Sequence, residues 1–345
     1  MSLRRLSAAL LLGAALVVAP AVPAGACACG GLAPTPGSDV EVGEERAIVS
    51  WQDGVEQLDV LLGVLSSDTE TGLVFPTPSP ATVSLGDRAD FDAIGRVIQP
   101  TRVEEYDWWA VPNEGSAGSA PPEVLDRVQL GPIEAVTLAA SDSAGLAAWL
   151  DENGYGLSAE VEELLQGYVE RGWYFVALRI TGDEPLDGGL DPIRFRFESE
   201  QLVYPLELSR AATNPQTVRL YVAADHRQRV EFTSGGIPAG AFVSWAAPIT
   251  GTEIAGLGDY LTVFEMYFFE PSTGILGDLV FSDALSDDTT GTEHRVTIPL
   301  AFGGIPLGWV AVGVGVFLVI LVLAYVGSAR GPRRPARTPS SAAVR

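Results

Sequence analysis

Carboxylates are the one reactive side chain this sequence carries in quantity. Its 44 acidic residues stand against two histidines (His226, His294), two cysteines (Cys27, Cys29) and no lysine. Two histidines are too few for a His-rich metal centre, and neither H-E-x-x-H nor a cysteine–histidine zinc spacing occurs. A serine nucleophile elbow is absent, and serine–lysine dyads and Schiff-base chemistry lack their lysine. No P-loop or G-x-G-x-x-G turn follows a strand; Gly188-Gly189 and Gly235-Gly236 read as turns. What remains is carboxylate chemistry. A glycosidase-like acid pair is conceivable, but with so many acids any chosen pair is uninformative. Calcium is the ion the oxygen-rich loops would suit, through Asp283, Asp287 and Asp288 or through Asp183, Glu184, Asp187 and Asp191. Neither loop has EF-hand spacing, and both read first as solvated surface. His226 reads as a turn residue. No catalytic, cofactor-binding or metal-binding residue is therefore assigned.

Cys27 and Cys29 are candidates for processing or lipidation. Met1–Ala26 has an early positive charge (Arg4, Arg5), an apolar run over 8–18 and small residues before a cut, the pattern of a removable secretory signal. Cleavage after Ala26 leaves both thiols at the new N-terminus, and cleavage after Ala28 leaves Cys29. Ala24-Gly25-Ala26-Cys27 also resembles a weak lipoprotein box. A disulfide between cysteines one residue apart would close a small strained ring.

The positioning elements start from the other end. Ile305–Val326 is 22 residues without a charge, about 33 Å as a helix and enough to cross a bilayer. Trp309 and Tyr325 sit where interfacial aromatics belong, and Arg330, Arg333, Arg334, Arg337 and Arg345 follow with no acid. The basic tail is expected in the cytoplasm and the rest outside it. All the acids lie between Asp39 and Glu293, and the 14 arginines between the signal and the apolar span, set against 44 acids, leave a charge of −30. Such a domain disfavours nucleic acid and anionic head groups, and favours cations, basic polymers or basic proteins. The expected organisation is a signal over 1–26, a leader over 27–38, an extracytoplasmic domain over 39–300 with a possible break at the linker-like Pro112–Pro122, a transmembrane helix over 305–326 and a tail over 327–345.

Within the domain, Ala47–Trp51 and Val55–Val64 flank Asp53-Gly54, a two-residue hairpin signal. Phe91, Ile94 and Ile98 predict a helix within Gly86–Gln99. Ser141 and Ser158 each cap a predicted helix, ended by Gly154 and Gly172; Val161, Leu164, Leu165, Tyr168 and Val169 form the apolar stripe of the second. Strands are predicted at Gly72–Phe75, Ile133–Ala139, Trp173–Thr181, Ile193–Glu198, Val203–Leu208, Val218–Val222, Val230–Thr233, Phe242–Trp245, Leu261–Phe269 and Val296–Pro299. The fold class expected is α+β: a mostly antiparallel sheet, a helix pair packed beside it and one C-terminal transmembrane helix.

CGG after the signal, LVFPTP at Leu73–Pro78, WLDENGY at Trp149–Tyr155, YVERGWYFVALRI at Tyr168–Ile180 and PIRFRFESEQLVYPLEL at Pro192–Leu208 occur in an order that resembles the bacterial family called domain of unknown function 2330. The resemblance runs from Cys29 to about Asp225. It implies an exported or membrane-anchored bacterial protein and brings no established activity or site residues. The function expected is an anchored binding or assembly module of the bacterial envelope, partnered by the bilayer and by an envelope protein or cationic ligand. The alternative is an anchored carboxylate-based hydrolase of envelope material.

Overall fold

The computed structural model describes residues 31–33, 40–66, 69–111, 134–138, 143–152, 154, 156–181, 187–189 and 191–329. Strand β1 (Gly31–Ala33) is followed by the longest hairpin, β2 (Val40–Gln52) and β3 (Val55–Ser66). Asp53 (φ 53°) and Gly54 (φ 81°) both take the positive φ of a type I′ turn, which fixes Gln52 opposite Val55. Next come β4 (Glu70–Thr77), β5 (Thr82–Leu85), helix α1 (Arg88–Val97) and β6 (Thr101–Asp107). Asp87 caps α1 by accepting the Ala89 N–H at 2.8 Å. Strand β7 (Glu134–Leu138) leads to the helix pair α2 (Ser143–Glu152) and α3 (Ala159–Glu170), then β8 (Tyr174–Thr181). The Ser158 hydroxyl caps α3 at the Val161 N–H, 3.2 Å away, as the sequence predicts, and Gly172 ends it at φ 74°. The rest is β9 (Asp187–Gly189), β10 (Ile193–Glu198), β11 (Val203–Tyr204), β12 (Gln216–Ala224), β13 (Gln228–Phe232), β14 (Phe242–Pro248), β15 (Tyr260–Phe268), the single turn α4 (Pro271–Gly274), β16 (Leu279–Asp283), β17 (Glu293–Pro299), β18 (Ala301–Phe302), β19 (Ile305–Pro306) and α5 (Leu307–Ala329).

Among the described residues, those of Pro100–Glu123 and Thr292–Arg345 form one compact unit and the remainder another. The larger unit is α+β with mostly antiparallel sheets. Its main sheet has the order β14-β15-β12-β2-β3-β10-β5, with β9 added beside β3; β12 runs parallel to β2 and the other pairs are antiparallel. A second sheet, β1-β4-β8-β7, faces it, and a third, β11-β16-β13, completes the unit's strands. Phe75 of β4 stacks on Phe195 of β10 with ring centroids 4.1 Å apart, inside one core shared with Leu58, Val176, Leu220 and Phe281. Alternation explains why the central strands are apolar on both faces. Val218, Leu220 and Val222 enter that core, while Tyr221 and Ala223 turn to a second core under α1, with Phe91 and Ile94. The helix pair covers the outer face of the second sheet, where Leu146, Leu150, Val161 and Leu165 meet Val74, Phe175 and Ala177.

One predicted strand is cut short. Val203–Leu208 is extended only at Val203–Tyr204, and a 3₁₀ turn takes over at Glu207–Ala211. Pro205 has no N–H to give a ladder, and the next two N–H groups, of Leu206 and Glu207, are taken by the Asp278 carboxylate at 2.9 and 3.0 Å. The Pro112–Pro122 linker lies outside the described residues.

In the smaller unit β6 runs parallel to β17, with Thr101 opposite Glu293 and Asp107 opposite Pro299. A tight turn at Gly303 (φ 60°) and Gly304 (φ 81°) joins β18 to β19. The apolar helix begins at Leu307, two residues after the start of the predicted span, because Ile305 and Pro306 are spent on that hairpin. Over Leu307–Ser328 it is long and apolar enough to cross a membrane, and only 6% of an 18-residue apolar window within it is buried in the protein.

Candidate functional site

Among the described residues, four carboxylates are buried in the larger unit: Glu45, Glu56, Asp59 and Asp278. Each meets protein donors. Asp278, 1% exposed, accepts the Tyr168 phenol, the Leu206 and Glu207 N–H groups and, at 3.4 Å, the Arg171 guanidinium. Arg171 also pairs with Glu207 at 2.9 Å and lies over the Tyr168 ring, 4.3 Å from its centroid. This node ties α3 to the 3₁₀ turn and to the start of β16. Burial pushes both the Asp278 carboxyl and the Tyr168 phenol up. Asp59 takes Arg194 Nε at 2.6 Å and Gln57 at 2.8 Å, and Arg194 reaches on to Asp90 of α1 at 3.0 Å. The alternation of IRFRFE thus sends Arg194 off the Phe195 side and into an ion-pair chain. Tyr204 donates to Glu45. Glu56 accepts the Val203 N–H at 3.1 and 3.2 Å, and its complete burial raises its carboxyl well above the usual range.

Glu56 lies behind a more open feature. Its partner Val203 is part of the wall of a groove of about 980 Å³, which also holds Trp51, Trp173, Asp53, Glu198 and Glu200. The rim is pinned by short bonds. Ser199 N donates to the Gly54 carbonyl at 2.9 Å, Trp51 Nε1 to the Ser199 carbonyl at 3.0 Å, and Ser79 Oγ to the Glu198 carbonyl at 2.7 Å. The hairpin turn therefore holds the 198–201 loop in place. Among the described residues, the three carboxylates of this groove make no ion pair, and no arginine or histidine joins its wall. Two indoles beside uncompensated negative charge suit a cation, through ring faces and screened attraction. Arg171 approaches Trp173 at 5.6 Å, but its charge is already met by Glu207 and Asp278. Each wall segment reads as ordinary hairpin, strand or turn in the sequence. Only folding brings 51–54, 173 and 198–203 together, and the acids of Glu198-Ser199-Glu200, just past the IRFRF alternation, are the one local signal.

A second concavity is of opposite character. A cleft of about 430 Å³ is formed by Ile237, Phe242, Phe264 and Leu285 with Arg227 and Arg229, and no carboxylate joins its wall. Arg229 pairs with Glu231 and Arg227 bonds to the Asp288 carbonyl, so both cations are engaged.

The acidic loop around Asp283 does not bring its carboxylates onto one point. Asp283 accepts Gln228 at 2.8 Å, Asp287 takes His226 Nδ1 and the Arg227 N–H at 2.9 Å each, and Asp288 takes Ser286 at 2.7 Å. The bond to Asp287 raises His226, and the same bond lowers Asp287. In the other candidate calcium loop Asp191 pairs with Arg88 at 3.1 Å, Asp187 belongs to β9, and Asp183 and Glu184 lie outside the described residues. Among the described residues, no three His, Cys, Asp or Glu side chains gather as a metal cluster. Cys27 and Cys29 also lie outside the described residues.

These features define an acidic α+β domain in a chain that also carries one long apolar helix. A family described as an uncharacterised protein conserved in bacteria (DUF2330) matches residues 23–282, and the chain belongs to it. The match reaches past Asp225, where the sequence resemblance stops, to include β13 through β16. No curated protein matches the chain. The crystal structure of baculovirus P35 is similar at 8% identity and a TM-score of 0.35, covering 73% of this chain and 94% of that one. A mutated baculovirus P35 after caspase cleavage is similar at 8% identity and a TM-score of 0.30, covering 72% and 96%. Likeness that loose transfers neither architecture nor activity.

Proposed function

We propose that the protein is a single-pass membrane protein that presents its acidic domain outside the cytoplasm as a binding or assembly module. Its ligand is a cationic molecule or a basic segment of an envelope protein, taken in the groove between Trp51 and Trp173. The observation that carries the reading is α5, an uncharged helix whose side chains from Val312 to Val326 are largely exposed apolar groups. Such a surface is stable only against lipid or another protein. The arginine-only flank after it favours the cytoplasm for the tail, and the residues before Cys27 and Cys29 supply an export signal. The rival hydrolase has Glu56 as its best acid, its carboxyl raised by burial behind the groove. Because Glu56 is fully buried with its oxygens on the Val203 backbone, we prefer binding to catalysis. The test is trypsin added to cells whose protein bears a tag after Arg345. The domain should be digested while the tag stays intact; loss of the tag in sealed cells would overturn the orientation. Release of the whole protein by alkaline carbonate would overturn the anchor.

A further inference from the structure

The smaller unit is zoned along its length. Its ribbon, β6 with β17, carries Arg102, Glu104, Glu105, Glu293 and Arg295, and two of its ion pairs lie within single strands (Arg102–Glu104, 3.5 Å; Arg295–Glu293, 3.3 Å). Past the ribbon the charges stop and indoles begin. The Asp107 carboxylate accepts the Trp109 N–H at 2.7 Å, turning the chain so that Trp108 and Trp109 meet the start of α5. There the Trp108 carbonyl accepts the Gly308 N–H at 2.8 Å, one of the first-turn donors that a helix cannot satisfy itself. The Trp109 ring lies directly on Gly308: a Cβ added at 308 would come within 2.5 Å of ring carbon. Trp109 and Trp309 meet edge to face with centroids 5.6 Å apart. Despite this packing Trp108, Trp109 and Trp309 stay 53%, 54% and 61% exposed, and Phe302 and Ile305 beside them are exposed too.

Charged ribbon, aromatic ring and apolar helix, in that order, form the profile of a chain entering a bilayer, where indoles sit at head-group level. We propose that Trp108 and Trp109 are a membrane-seating element: with Trp309 they form a collar in the head-group and glycerol layer, so the chain grips the bilayer at two points far apart in sequence. The proposal rests on the reading that α5 spans the membrane. The exposed collar surface is continuous with α5, and that continuity selects lipid as its occupant. Gly308 is the fitting that lets the second point lock onto the first.

The experiment is full-length protein in phosphatidylcholine vesicles brominated near the head group, with wild type compared to W108F/W109F. Phenylalanine keeps a ring on Gly308 and removes the indole. Emission quenched by bromine should fall by roughly half or more in the double variant, since two of this unit's three indoles are gone. An unchanged quenched emission, with both proteins retained in carbonate-washed vesicles, would overturn the collar and leave the anchor standing. Release of both proteins by carbonate would instead overturn the spanning reading, and the collar with it.

Discussion

Asp278 and the Glu198–Glu200 rim use one functional group in opposite ways. Asp278 is sealed among α3, the 3₁₀ turn and β16, where four donors from two segments, 168–171 and 206–207, converge on it. Asp53, Glu198 and Glu200 are held at an open groove by bonds through their backbones and those of their neighbours, so their carboxylates carry no structural duty. In a domain with far more acids than arginines, position decides use. The buried acid is met by guanidinium, phenol and amides, whereas the exposed acids beside Trp51 and Trp173 make no ion pair among the described residues.

That contrast breaks most readily at Asp278. Asp278→Ala leaves the Tyr168 hydroxyl and two backbone N–H groups buried without an acceptor and should cost about 3–5 kcal/mol in urea unfolding; Asp278→Asn, which keeps one acceptor, should cost less. A loss under 1 kcal/mol for the alanine variant would show that the node does not hold the fold. Next in size is pH dependence. Glu56 and Asp278 both titrate above their unfolded values, so at these two sites the native state binds more protons than the unfolded chain from about pH 4 upward. Their share of the stability therefore falls as pH rises from that point toward the folded values. Glu56→Gln removes one of these protons from the balance, and its unfolding free energy should drop less steeply with pH than that of wild type. Equal slopes would mean that Glu56 is ionised in the fold.

At the groove the expected change is in binding alone. E198Q/E200Q should leave the thermal midpoint where it is and weaken a basic peptide roughly three- to tenfold at moderate salt. The smallest effect belongs to His226–Asp287, exposed on both sides. The His226 value is raised in the fold, so its contribution is present below about pH 6.5 and is lost as pH rises through the folded value. Salt screens the pair, and His226→Gln should give no resolvable shift in midpoint at 0.15 M ionic strength.

Much of the scaffold was legible in sequence because its signals are local. Asp53-Gly54 encodes its turn, Ser158 and Gly172 bound α3, and the uncharged run before the arginines becomes α5. The parts that were not legible depend on partners distant in the chain. Thr101–Asp107 shows little apolar alternation because it pairs parallel with Glu293–Pro299 in a mostly polar ribbon. Leu206 lies in an apolar run that suggests a strand, yet Pro205 and the remote Asp278 divert it. Asp278 itself sits in GILGDLV with no local cue to its burial, and Trp173 reads as the first residue of a strand. The groove is a tertiary product, which is why the sequence shows the acidity of the domain but not that Asp53, Glu198 and Glu200 share one wall with Trp51 and Trp173.

The most direct measurement is a titration of hexa-arginine onto the full-length protein in nanodiscs, comparing wild type with E198Q/E200Q and with E160Q/E162Q. The second pair removes the same charge from the exposed face of α3. Binding at the groove should be saturable and salt-sensitive, weakened in the groove variant and spared in the helix variant. Equal weakening by both would reduce the binding to diffuse charge and contradict the groove as the ligand site.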